Sequence, residues 1–96
     1  MALIDTFFDA PDPEKEAANL LKHGVSFDEA MSVFRDPLSL TGPDSDHSHG
    51  ELRFLVTGRS RFGNTLIVSH TEREGRIRII SARRATRTEI RHYEDI

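Results

Sequence analysis

The stretch Arg76 to Glu89, RIRIISARRATRTE, decides the fold. Ile77 and Ile79 alternate with Arg76 and Arg78. Successive side chains of a strand project to opposite faces, so one side of this strand is built for a core and the other for water or an anion. Arg83 and Arg84 close the strand, and Thr86 with Glu89 spells T-x-x-E, a capping box that starts a last helix. Positive charge is thus concentrated on a rigid strand and a helix entrance, a setting in which a phosphate site is pre-organised.

Upstream, Glu74-Gly75 turns the chain back into Thr65–Arg73, and RFGN turns it again into Glu51–Ser60, where Leu52, Phe54 and Val56 alternate with Arg53, Leu55, Thr57 and Arg59. Turns this short force antiparallel hairpins, so the three strands form a meander. Before them, LSLT reads as a short edge strand and GPDSD as turn chemistry. Near the N-terminus, Asp12-Pro13 is a cap followed by a first-turn proline, and PEKEAANLLKH runs as a helix that Gly24 stops. Ser26 and Glu29 spell a second capping box, and Phe27, Ala30, Met31 and Phe34 recur at helical spacing as core residues until Asp36-Pro37. The predicted class is α+β: two N-terminal helices, an antiparallel meander of three to four strands and a C-terminal helix, in one domain spanning 1–96.

Ninety-six residues with 36% apolar content suffice for one modest core. Without cysteine, disulfides, thiolate zinc sites and cysteine nucleophiles are excluded. The N-terminus is acidic where a signal peptide is basic, and no apolar run approaches a membrane span, so a cytoplasmic protein without a membrane partner is expected. The net charge of −3 hides an asymmetry. Residues 1–50 hold three Lys/Arg against ten Asp/Glu, whereas residues 51–96 hold ten Arg against six Asp/Glu. Arginine matches phosphate bidentately and never loses its charge, which favours a phosphodiester ligand; the bland alternative is a solvated face paired with Glu51, Glu72 and Glu89.

The motifs KEAANLLKHGVSFDEA (Lys15–Ala30), VFRDP (Val33–Pro37), the Asp46–Glu51 segment and IRIISARRAT (Ile77–Thr86) follow one another in an order that resembles the BrnT toxins of type II toxin-antitoxin modules. The resemblance implies the compact fold of the RelE-like ribonuclease group. It also implies an RNA-cleaving toxin, neutralised by a BrnA-type antitoxin that supplies the DNA-binding part. The complex expected is a heterotetramer, two toxins bridged by an antitoxin dimer. Members commonly open with Phe-x-Trp-Asp-Pro; this chain reads DAPDP from Asp9 and has no tryptophan, leaving Phe7 and Phe8 to fill that space.

Metal-independent RNA cleavage needs a base for the ribose 2′-OH, an acid for the leaving oxygen and donors for phosphorane charge. Arg53, Arg78 and Arg83 suit the last task, with Arg59, Arg76, Arg84 and Tyr93 as further RNA-binding candidates. His70, Glu51 or Tyr93 suit proton transfer, with His70 first. Each has a structural alternative. His70 shares a strand face with Leu66 and Val68 and equally reads as core; His23 reads as a helix C-terminal cap; Tyr93 reads as packing. His47, His49, Asp44 and Asp46 have metal-ligand composition but lack a fixed third partner, so neither a metal site nor a cofactor is expected. The competing class is a non-catalytic module whose arginine face holds an acidic antitoxin segment and acts as co-repressor. Direct DNA binding by this chain alone is not expected, because no helix-turn-helix or ribbon arm is present.

Overall fold

The computed structural model describes residues 7–48 and 50–95. Its elements are β1 (Phe7–Phe8), α1 (Pro13–His23), α2 (Phe27–Ser32), a 3-10 turn (Val33–Arg35), β2 (Leu40–Pro43), β3 (Phe54–Arg59), β4 (Thr65–Arg73), β5 (Arg76–Arg84) and α3 (Arg87–Glu94). The strands form one sheet in the order β1-β5-β4-β3-β2. β2 to β5 are antiparallel, as the short turns require, and the two-residue β1 adds in parallel at Arg76 and Ile77. This α+β architecture is the one expected from the sequence, with β1 as an addition. The edge strand sits two residues later than LSLT, and β3 begins at Phe54, leaving Leu52 exposed.

One sheet face is covered by α2 and the turn after it. Phe27, Ala30 and Val33 pack with Val56, Leu66, Val68, Ile79 and Ala82 into a core whose members are at most 9% exposed. Full burial of a side chain such as Phe27 contributes about 1.5–3 kcal/mol. The helix is brought there by Ser26, whose Oγ accepts from the Glu29 N–H at 3.0 Å. The other half of the expected box is not made. Glu29 instead turns inward, and its Oε2 accepts from Ser60 Oγ at 2.7 Å and Asn64 Nδ2 at 2.8 Å, tying α2 to the β3–β4 turn. Gly58 is required on this face: a Cβ there would lie 2.9 Å from Val33 Cγ1 and 3.0 Å from Ser39 Cβ.

α1 is anchored differently. Its side chains are mostly polar and its one buried residue is Asn19. β1 pairs with β5 only as far as Ile77, so the Ala82 N–H and C=O are taken up by Asn19 instead: Ala82 N–H donates to Oδ1 at 3.0 Å and Nδ2 donates to Ala82 O at 2.9 Å. Nδ2 also donates to Val25 O at 2.9 Å, fixing the turn into α2. An amide side chain thus does the work of a neighbouring strand.

α3 starts as expected. Thr86 Oγ1 accepts from Glu89 N–H, and Glu89 Oε1 accepts from Thr86 N–H at 2.8 Å, completing the box. None of its residues is buried, and polar contacts at both ends hold it.

Candidate active site

Simple alternation along β5 would place Arg83 on the same side as Ile77 and Ile79, against the core. The ladder prevents this. Ile79 pairs with His70 and Ser81 pairs with Ser69, so Ile80 is an extra residue, a bulge opposite the Ser69–His70 step. After the bulge the faces exchange. Ala82 joins the core beneath α2, while Ser81 and Arg83 turn to the face that already carries Arg76 and Arg78. The register across β4 and β3 puts Leu55, Thr57, Arg59, Ile67 and Ser69 on that same open face.

A concavity of about 430 Å³ lies there, floored by Leu55, Ile67 and Ile80 and rimmed by Arg53 and Arg83. His23, at the end of α1, and the Asp44–His47 turn complete its wall. That turn is built from local hydrogen bonds. Asp44 N–H donates to Arg53 O at 2.8 Å, Ser48 Oγ donates to Asp44 O at 2.7 Å, and Arg53 N–H donates to Ser48 Oγ at 3.0 Å. His47 Nδ1 stands 3.1 Å from both Asp44 carboxylate oxygens. Asp44 is only 11% exposed and His47 is 66% exposed, so a sheltered carboxylate orients an accessible imidazole.

Arg83 is held by Glu89 through two parallel bonds of 2.8 and 2.9 Å. The hydrogen bond from Arg83 takes the Glu89 carboxyl down to about 2, and the same bond raises the Arg83 pKa. Arg53 has no ion-pair partner among the described residues. At the other end of the face Glu51 binds Arg73 at 2.5 Å; that bond holds its carboxyl below the usual range, helped by the charges of Arg78 and Arg53. Asp9 stands 3.8 Å from Arg76 and 3.7 Å from Arg78. The open face therefore gathers Arg53, Arg76, Arg78, Arg83 and Glu51, with Arg59 at its end bonded to Glu94 at 3.3 Å.

Three sequence candidates are placed away from this gathering. His70 is 1% exposed on the core side, edge-on to Phe34 with ring centroids 4.9 Å apart and 5.8 Å from Phe54. Burial pushes its pKa below the ordinary value, against opposing contributions from the Val68 backbone and Glu72. The sheet separates it from the arginines, because its partner Phe54 and its neighbour Val68 share the face of Leu66. Arg84 pairs with Leu66 and so leaves on the helix side. Tyr93 is engaged as well: its hydroxyl donates to Asp36 Oδ2 at 2.6 Å beside a second hollow containing Leu38 and Leu40. Burial pushes the Asp36 carboxyl up, but hydrogen bonds from Tyr93, Arg59 N–H and Leu38 N–H outweigh it and lower the pKa.

His23, Asp44 and His47 line the concavity, although sequence reasoning gave none of them a catalytic role. The Asp44-x-x-His47 spacing is the signal the sequence offers, within a stretch of metal-ligand composition for which no metal site is expected. Among the described residues no cluster of three or more His, Asp or Glu is placed to hold a metal ion, and His49 lies outside the described residues. No helix among them is long and apolar enough to cross a membrane.

Fold and site define a small α+β protein whose single sheet is covered on one face by α2 and gathers guanidiniums on the other. The family model described as "Ribonuclease toxin, BrnT, of type II toxin-antitoxin system" matches residues 12–89, and the chain belongs to that family. Membership in a type II module implies an antitoxin partner. The crystal structure of the Brucella abortus ribonuclease toxin BrnT superposes with a TM-score of 0.66 at 19% identity, covering 85% of this chain and all of that one. No curated protein matches the chain.

Proposed function

We propose that this chain is an active endoribonuclease toxin that cleaves RNA through attack of the 2′-oxygen, with the arginine-rimmed concavity as its site. The observation that carries the reading is the bulge at Ile80, which turns Arg83 onto the face of Arg53 and Arg78. In this reading Arg53 and Arg83 grip the scissile phosphate and stabilise its extra charge, and Arg76, Arg78 and Arg59 extend the basic track for flanking phosphates. Loss of one such donor costs roughly 100- to 1,000-fold in rate. Glu51 holds Arg73 in place. His70 supports the sheet from its core side.

Expression of the chain alone, followed by mapping of RNA 5′ ends, tests this reading. Growth arrest with new 5′-hydroxyl ends is expected, abolished by Arg53→Ala; arrest without new ends refutes it. The partner in this reading is a BrnA-type antitoxin whose acidic segment is drawn to the basic face, in a heterotetramer built on an antitoxin dimer. A co-purified complex of 1:1 mass refutes that assembly.

A second reading, a non-catalytic module that holds the antitoxin and serves as co-repressor, is favoured by one observation: Arg59, Arg73 and Arg83 are already paired with carboxylates. It predicts that Arg53→Ala weakens antitoxin binding and that the wild type leaves RNA intact.

A further inference from the structure

We propose that His47 and His23 are the proton-transfer pair of this site, acting on a single-stranded RNA phosphodiester held by Arg53 and Arg83; the assignment rests on the ribonuclease reading above. Both histidines line the same concavity as the two arginines, and they reach it from different elements. His47 comes from the turn before β3. His23 comes from the last residue of α1, whose final turn Asn19 pins against Ala82, next to Arg83.

Their surroundings separate the roles. Asp44 accepts the Nδ1 proton of His47, which in a neutral ring leaves the lone pair on Nε2, the arrangement of a general base. The tautomer is set by a carboxylate that is itself fixed: Asp44 is tied through its backbone N–H to Arg53, so the base and the phosphate-binding arginine share one rigid turn. His23, the last residue of α1, has no carboxylate partner among the described residues, which leaves its ring to serve the leaving oxygen as the acid.

The step balances without any further reactant. His47 Nε2 takes the proton of the ribose 2′-hydroxyl as the 2′-oxygen bonds to phosphorus, while Arg53 and Arg83 hold the non-bridging oxygens. The bond from phosphorus to the 5′-oxygen breaks, and that oxygen receives a proton from a ring N–H of His23. The products are a 2′,3′-cyclic phosphate and a 5′-hydroxyl. His47 ends protonated and His23 neutral, and exchange with water restores both.

The test is steady-state cleavage of a short single-stranded RNA by the purified chain and by His47→Gln, His23→Gln and Asp44→Asn, with circular dichroism confirming that each variant is folded. The expected result is a bell-shaped dependence of kcat/KM on pH in the wild type. Each histidine variant should lose roughly 100- to 10,000-fold in kcat, with KM within about threefold and its own limb of the bell removed. Asp44→Asn should keep RNA binding and move the acid limb of the bell, the limb set by the base, since Asp44 acts on the reaction only through His47. If the wild type cleaves and both histidine variants stay within about threefold of it, this pair is wrong while the ribonuclease reading stands. If the wild type leaves the RNA intact, both are overturned.

Discussion

Replacing Asn19 with Leu keeps the volume and removes every hydrogen bond the side chain makes. Three are lost: to Val25 O, to Ala82 O and from Ala82 N–H. Ala82 is 1% exposed and Val25 is fully buried, so water does not readily take up the abandoned groups. Each buried backbone group left unsatisfied costs about 1–3 kcal/mol. Partial relaxation of α1 recovers some of this, and a net loss of about 3–5 kcal/mol is expected against a total stability of roughly 5–15 kcal/mol for a domain of this kind. At about 4–8 °C per kcal/mol the midpoint should fall by roughly 12–40 °C. Urea unfolding followed by far-ultraviolet circular dichroism gives the number directly. Leu21→Ser on the same helix is the control: Leu21 is 90% exposed, and its replacement should change stability by no more than about 0.5 kcal/mol. A loss under about 1 kcal/mol for Asn19→Leu would show that α1 is not held through this amide, and the account of how His23 reaches the site would fail with it.

His70→Leu should flatten the pH dependence of stability on the acid side. The folded pKa of His70 lies below 6.5, so the unfolded chain takes the proton more readily; the wild type is therefore fully stable above 6.5 and weakens as pH falls beneath it. Urea midpoints between pH 7.5 and 5 measure the difference. Glu89→Gln should lower stability by about 1 kcal/mol at neutral pH by removing the charge of the partly exposed pair with Arg83, while its amide oxygen still accepts from Thr86 N–H in the capping box. Its carboxyl titrates near 2 in the folded state against about 4.5 unfolded, so the wild-type advantage is complete above 4.5 and vanishes as pH falls through about 2. Gly58→Ala should cost about 1–3 kcal/mol in thermal or urea unfolding, since its Cβ meets the Val33 side chain and Ser39 at or under 3.0 Å.

Local chemistry made much of this fold legible. Thr86-x-x-Glu89 announced α3 and Asp12-Pro13 announced α1, because a cap is satisfied within a few residues. The β4 alternation likewise placed His70 with Leu66 and Val68, and the core alternative for that residue is the one the fold adopts. The bulge at Ile80 was not legible. No glycine marks it, and it exists only in the pairing between β5 and β4, so nothing within IRIISARR reveals that Arg83 changes sides. Strand β1 escaped for a similar reason: two residues have no period. The Asp44–His47 dyad lies in a polar turn whose composition resembles any surface loop, and its meaning comes from Arg53, to which the turn is bonded. Glu29 fitted a capping box by spacing, yet the partners that claim it, Ser60 and Asn64, lie in the β3–β4 turn.

The most direct test of the central claim compares two adjacent arginines, of which the bulge turns Arg83 to the open face and Arg84 to the helix side. Equilibrium binding of single-stranded RNA should be measured over a series of salt concentrations for the wild type, Arg83→Gln and Arg84→Gln. Each phosphate contact adds about 0.7 to the slope of log affinity against log salt for single strands. Arg83→Gln should lower the slope by about 0.7 and Arg84→Gln should leave it unchanged; equal effects, or a larger one for Arg84, would contradict the assignment of the RNA site to the open face.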